Sequence, residues 1–279
     1  MSNAGGVAGK DAPPVFRAPR SDVPFFIALS LLGGSYLLLI VGMLVADACY
    51  TTPDHILRAL ASPKLRHAIW LTLISCSITA ILSLLVAVPL GYLLSRYQFR
   101  GKSLVDALLD IPIVLPPLVV GLCLLILFQT PPGRMIQKVI PITYAVPSVV
   151  MAQFAVACAF AVRTMRVTFD EIPRRHEDVA LTLGCSRAQA FWRVVLPEAR
   201  RGIVTAGTLA WARALGEFGP LLIFAGTTDF KTVVLSTAVW LEFSVGSLNA
   251  AVAVSLLLVV VALVVLVIVR VYGTGKPAL

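Results

Sequence analysis

The sequence predicts an all-α integral membrane protein of six transmembrane helices, with a helical cytoplasmic loop between the fourth and the fifth. Three observations predict it. Of 279 residues, 58% are hydrophobic and only 13% charged, which excludes a disordered chain, a basic nucleic-acid-binding protein and an ordinary soluble domain. Windows without Asp, Glu, Lys or Arg recur at the length of roughly 20 helical residues that crosses about 30 Å of hydrocarbon. The longest charged interval between them, 163–201, carries more helix starts and stops than a connection needs.

Five windows lack charge altogether: 23–46, 67–95, 111–133, 139–162 and 243–269. A sixth apolar stretch, 202–228, holds Arg213 and Glu217, and charge inside a membrane is costly enough to need a reason. Spans are therefore expected at about 23–46, 67–95, 108–130, 141–163, 202–226 and 246–270, in one transmembrane domain, 23–279. The leader, 1–22, is rich in Gly, Ala and Pro and is expected to be disordered. Ala46-Asp47-Ala48 offers a small-x-small cleavage pattern, but the apolar run before it exceeds a signal core of roughly 7–15 residues, so the first span is expected to stay as an anchor. Sixteen Lys and Arg fall on one side of the spans and six on the other, with Arg213 inside. Both termini are thus expected in the cytoplasm.

The third span holds Pro112, Pro116 and Pro117, each of which removes a backbone donor. Such a break is tolerated in lipid only where protein or water supplies partners; an ordinary kink and a place beside a polar path both fit. In the loop, Pro173 stops one element, and Glu177 to Leu183 reads as a short helix ended by Gly184. Ser186 with Gln189 is a capping box that starts a second helix, with Ala188, Phe191, Trp192 and Val195 on one face and Pro197 closing it. Two readings stand: an interfacial helix anchored in lipid by Trp192, or a docking surface for a cytoplasmic partner. In the fifth span, Arg213 and Glu217 are four apart and neutralise each other on one helix face. They form either a self-satisfied structural pair or part of a water-filled path or gate. Gly216, Gly219 and Pro220 let the helix bend there or approach a neighbour. The Val- and Leu-rich last span reads as a lipid-facing support.

Chemistry is sparse. The five cysteines are odd in number and form no Cys-x-x-Cys pair, so neither a disulfide framework nor a zinc site is implied. His55, His67 and His176 read as surface histidines, and no metal site or catalytic arrangement is expected. Gly9-Lys10 and Gly275-Lys276 fail the phosphate-loop pattern, leaving no nucleotide site in the chain.

Three motifs carry a resemblance. Asp178-Val179-Ala180, three residues, Gly184, nine residues and Val194-x-Leu196-Pro197 resemble the loop signature of ABC importer permeases, Glu-Ala-Ala-x(3)-Gly-x(9)-Ile-x-Leu-Pro. Gly184, Leu196 and Pro197 match outright, and Asp178, Val179 and Val194 are replacements that keep charge or aliphatic character. The run from Arg213 to Gly219, Arg-Ala-Leu-Gly-Glu-Phe-Gly, is similar to a span of molybdate and sulfate permeases. So is the proline-rich run 110–121, and together the likeness covers roughly Trp70 to the C-terminus. The resemblance implies that the loop is a coupling helix seated in an ATPase subunit, with 178–189 as contact segment and Asp178, Val179, Ala180, Gly184, Cys185, Ser186, Val194, Leu196 and Pro197 in the motif. It implies pore or gate residues at Arg213, Glu217, Phe218, Pro116 and Pro117. It further implies a binding-protein-dependent importer of the inner membrane, of type I, for molybdate or tungstate first and sulfate next. Its expected partners are a second permease copy, two ABC ATPase subunits carrying ATP and Mg, an extracytoplasmic solute-binding protein and the lipid bilayer, with no nucleic acid and no catalysis on this chain. Readings from other classes are an ion-coupled secondary transporter, marked by several buried acids, and a membrane anchor that recruits a protein through the loop.

Overall fold

The computed structural model of the chain describes residues 23–273. The leader 1–22 and the Gly275-Lys276 pair lie outside the described residues. Among the described residues every regular element is helical. The chain divides into two units between Cys49 and Tyr50. The first is helix α1 (Val23–Tyr50), 28 residues long, about 42 Å at 1.5 Å per residue. It has no polar stripe, as suits a helix surrounded by hydrocarbon.

The second unit holds α2 (Pro53–Ala61), α3 (Pro63–Arg96), α4 (Lys102–Val114), α5 (Pro117–Gln129), α6 (Pro131–Val139), α7 (Val146–Glu171), α8 (Arg174–Thr182), α9 (Arg187–Ala190), α10 (Leu196–Glu198), α11 (Arg200–Leu215), α12 (Leu235–Ser244) and α13 (Leu248–Gly273). Proline in the first turn opens α2, α3, α5, α6 and α7, where a missing N–H costs nothing. The core is α3, α7 and α11. These helices meet through Ala87, Ala157, Ala161, Ala206, Ala210 and Ala214, all at 1% exposure or less. Small residues let the backbones approach, which matters where lipid tails remove the hydrophobic drive for helices to associate. Leu94, Met165, Phe169 and Trp211 fill the remaining space of this cluster. A second cluster joins Leu71, Phe128, Val149, Leu221 and Phe224, and a third packs Leu65, Val233, Leu235 and Val254.

Among the described residues four helices are individually long and apolar enough to cross a membrane: Phe25–Tyr50 within α1, α3, α7, and Leu248–Val269 within α13. The stretch 108–130, expected as one crossing, is instead two 13-residue helices, α4 and α5, bent by 113°. Leu115 and Pro116 each precede a proline and are extended, with ψ of 141° and 131°, because a following pyrrolidine ring disfavours the helical conformation. The pair counts as at most one crossing, making five. The stretch 202–226 is likewise in pieces: α11 stops at Leu215, and after a break at 216–218 the chain resumes in a π-helical turn, Leu221–Ala225. Helix α7 runs eight residues past the expected end at 163, to Glu171, because its extra turns find ionic partners described below.

Candidate functional site

The two breaks meet. A β-carbon added to Gly121 of α5 would stand 2.6 Å from Pro220 Cα, and one on Gly219 would stand 2.8 Å from the Leu118 nitrogen. Only glycine permits this backbone-to-backbone crossing. Farther along, the Phe128 and Phe224 rings stack with centroids 5.5 Å apart. The backbone groups freed at the break are met by neighbours, as apolar surroundings demand. Gln153, 1% exposed, donates Nε2–H to the Ala214 carbonyl at 3.3 Å and accepts from Thr79 Oγ1 at 3.2 Å. Ser236 Oγ donates to the Glu217 carbonyl at 2.7 Å. Sequence reading passed over these residues; the available signal was a lone amide, Gln153, inside a charge-free window.

Arg213 Nη1 stands 2.7 Å from Glu217 Oε2, so the expected pair forms. Glu217 lies beyond the end of α11, however, and reaches back to the last turn. Its side chain is 1% exposed and that of Arg213 28%, and among the described residues neither Glu217 carboxylate oxygen receives an aligned hydrogen bond. The guanidinium carbon lies 5.6 Å over the Phe160 ring. Phe218 tilts against Trp240 at 6.2 Å. Of the expected pore or gate residues, Pro117 touches the Gly219 side of the crossing, while Pro116 holds the bend itself.

The loop builds a separate surface. Helix α8 ends in a complete Schellman turn: Cys185 N–H donates to the Ala180 carbonyl at 3.1 Å and Gly184 N–H to Leu181 at 3.0 Å. Gly184 takes φ +88°, a conformation glycine adopts freely. Ser186 Oγ accepts from Gln189 N–H while Gln189 Oε1 accepts from Ser186 N–H, giving the expected capping box. Asp178, Val179, Leu183, Gly184, Ser186 and Pro197 are exposed, Leu183 by 80%. Ala180 is buried; Cys185, Val194 and Leu196 are half-buried.

Two expectations for the following helix are corrected. Ala188 and Trp192 do not share a packed face with Val195: Trp192 is 65% exposed, whereas Ala190, Val195 and Ala199 are fully buried. The cause is a π-helical turn at Phe191–Val195, whose i→i+5 bonds add a residue per turn and rotate the face. Nor does Pro197 close the helix. It occupies the first turn of α10, where its missing donor is harmless.

Helix α8 is fastened to α3. The Tyr92 hydroxyl donates to Glu177 Oε1, and Arg96 Nε lies 3.5 Å from Glu177 Oε2, with side chains 7% and 12% exposed. Arg174 Nη2 donates to the Ser95 carbonyl and Arg96 Nη2 to that of Ile172, both at 3.0 Å. The Tyr92 ring meets Phe191 at 4.8 Å and Phe169 at 5.6 Å, edge to face. Helix α7 is tied to α4 by Arg166–Asp106 at 2.5 Å and by Arg163–Asp110, and His176 pairs with Glu198 at 3.0 Å. At the other end, Lys64 meets Asp229 at 2.5 Å, and His67 is half-buried against Phe230, not simply on the surface. Tyr92→Phe is expected to cost about 1–2 kcal/mol, the worth of a half-buried hydrogen bond to a carboxylate. A lower melting temperature in detergent with unchanged membrane insertion checks it.

A bent proline-rich pair thus crosses a broken charged helix, with a capped helical loop held on the core. The family of binding-protein-dependent transport system inner membrane components matches residues 87–274. The chain belongs to this family. As a binding-protein-dependent permease it is a multi-pass protein of the inner membrane and not an enzyme; ATP hydrolysis belongs to separate subunits. Relatives of this permease include the molybdenum transport system permease protein of Mycobacterium tuberculosis, 33% identical over 247 residues, covering 88% of this chain and 92% of that one. The molybdate/tungstate transport system permease protein of Pyrococcus furiosus is 33% identical, covering 79% and 84%. The sulfate transport system permease protein of Escherichia coli is 34% identical, covering 66% and 68%. A solved bacterial alginate ABC transporter, in complex with its alginate-bound periplasmic protein, has a chain that superposes on this permease with TM-score 0.72 at 18% identity, covering 91% and 98%. That likeness concerns the fold.

Proposed function

We propose that the chain is the translocation subunit of an ATP-driven importer for a tetrahedral oxyanion, molybdate or tungstate first and sulfate second. The observation that carries the docking part of this reading is the exposed platform of Asp178, Val179, Leu183 and Gly184, anchored to α3 through Glu177, Tyr92 and Arg96. A surface that is both solvent-facing and rigidly tied to a membrane helix passes a push from a cytoplasmic partner into the bundle. The oxyanion follows from the names of the three relatives. Two copies of the chain form a homodimer around one path, two ATPase subunits with ATP and Mg hold the loops, and an extracytoplasmic binding protein delivers cargo at the opposite end. Both termini then lie in the cytoplasm, six crossings are completed by α11 with its π turn, and 164–201 is the coupling loop. Alternation between inward and outward states is a two-state equilibrium biased by differential contacts at the loop. A secondary transporter is disfavoured because, among the described residues, Glu217 is the only fully buried carboxylate.

The test is purification of the tagged chain with candidate ATPases, followed by ATP hydrolysis in lipid with binding protein loaded with molybdate, tungstate or sulfate. Stimulation by a loaded form is expected. A well-folded chain that retains no ATPase overturns the reading.

A further inference from the structure

Helices α7 and α11 leave a groove of about 750 Å³ between them. It runs from Glu171, Glu198 and Arg201 at the loop end to Phe160 and Leu209 farther in. On α11, Arg201, Thr205 and Leu209 line it at four-residue intervals, and Arg213 continues the same helical face one turn on. Its guanidinium lies over Phe160, itself a wall of the groove. Arg213 therefore stands just beyond the groove's inner end. The hydroxyls of Thr164, Thr168 and Thr205 donate to carbonyls of their own helices, so each keeps acceptor capacity only and none is a ready anion donor.

Arg213 differs. Its closest approach to Glu217 is through Nη1, and among the described residues none of its N–H groups makes an aligned hydrogen bond. A guanidinium offers five N–H groups in a planar fork that matches the oxygens of a tetrahedral oxyanion. The buried carboxylate of Glu217 fixes one arm and cancels the charge when cargo is absent, which makes a cation at this depth tolerable. It also weakens the hold on an anion, and a transit site must be weak enough to release what enters it.

We propose that Arg213 is the residue on which the passing oxyanion rests, and that Glu217 positions it and tempers its grip. This rests on the importer reading above. Arg163, which itself lines the groove, is held by Asp110 with both Nε and Nη2 and is not free in the same way.

The experiment uses the full complex in proteoliposomes with binding protein loaded with molybdate, tungstate or sulfate, reading uptake and ATP hydrolysis separately. Arg213→Gln is expected to lower uptake roughly ten- to hundredfold, the loss of a hydrogen bond to a charged group, while loaded binding protein still stimulates hydrolysis. Arg213→Lys keeps charge without the fork and falls between. Glu217→Gln lowers the maximal uptake rate without changing the half-saturating concentration of loaded binding protein. The double variant Arg213→Met with Glu217→Leu decides between cargo contact and architecture, because an apolar pair can replace a buried ion pair without loss of stability. It is expected to fold, couple ATP hydrolysis and fail to move anion. Normal uptake by Arg213→Gln or by the double variant overturns the assignment, as does joint loss of uptake and stimulated hydrolysis in the well-folded Arg213→Gln complex. If wild type takes up none of the three anions, the importer reading falls first and this proposal with it.

Discussion

Gly121→Val is expected to abolish transport and to lower the yield of folded permease. Its β-carbon would meet Pro220 Cα at 2.6 Å and the Pro220 carbonyl oxygen at 3.0 Å. Both are backbone atoms of a rigid turn, so no side chain can swing away. Overpacking of a tight interior costs about 1–3 kcal/mol and more where the backbone itself must shift. Any retreat of α5 also opens the Gly219–Leu118 contact and the Phe128–Phe224 stack, so the cost is shared along the crossing. Gly34→Val in α1 is the control, since nothing lies within 4 Å of a β-carbon there. Size-exclusion profile, melting temperature and uptake should separate the two variants; equal behaviour would mean that the crossing yields easily.

Gly184→Trp is expected to act in the opposite manner, leaving the permease folded and disconnecting it from ATP hydrolysis. At φ +88° a side chain costs about 1–2 kcal/mol, too little to unfold a bundle of this size. Among the described residues no atom lies within 4 Å of a β-carbon there, so a side chain starts into open space on an exposed platform. Gly184→Ala bears the same backbone strain without the bulk and is expected to keep most activity. The measurement is ATPase co-purification and binding-protein-stimulated hydrolysis. Normal coupling in the tryptophan variant would remove the loop from the docking role.

What could be read from sequence and what could not divide along a physical line. Local rules located the elements: the capping box at Ser186, the left-handed Gly184 and the i,i+4 pair of Arg213 and Glu217 all depend on residues a few positions apart. The prolines at 112, 116 and 117 and the glycines at 216 and 219 marked two breaks, yet nothing local says that one break lies across the other. The contact of Gly121 with Pro220 joins residues about a hundred positions apart. The face of the helix after Ser186 was misassigned because a periodicity of 3.6 is assumed when apolar positions are aligned. One π turn breaks that assumption without a sequence mark. The links among Glu177, Tyr92 and Arg96 were not legible because Arg96 counted only toward orientation and Glu177 only as a helix start, and neither signal says what pairs with what.

The hydrogen bonds of Gln153 bear on how the chain is made. Thr79 precedes it by 74 residues and Ala214 follows it by 61. When α7 leaves the ribosome, α3 with its Thr79 hydroxyl has already been made, so the amide has one partner before α11 exists. Its N–H then gains the Ala214 carbonyl, which also accepts from Glu217 N–H at the break after Leu215. The interrupted helix thus supplies the last partner of a polar group made earlier, so the docking of α11 and the satisfaction of that group come together.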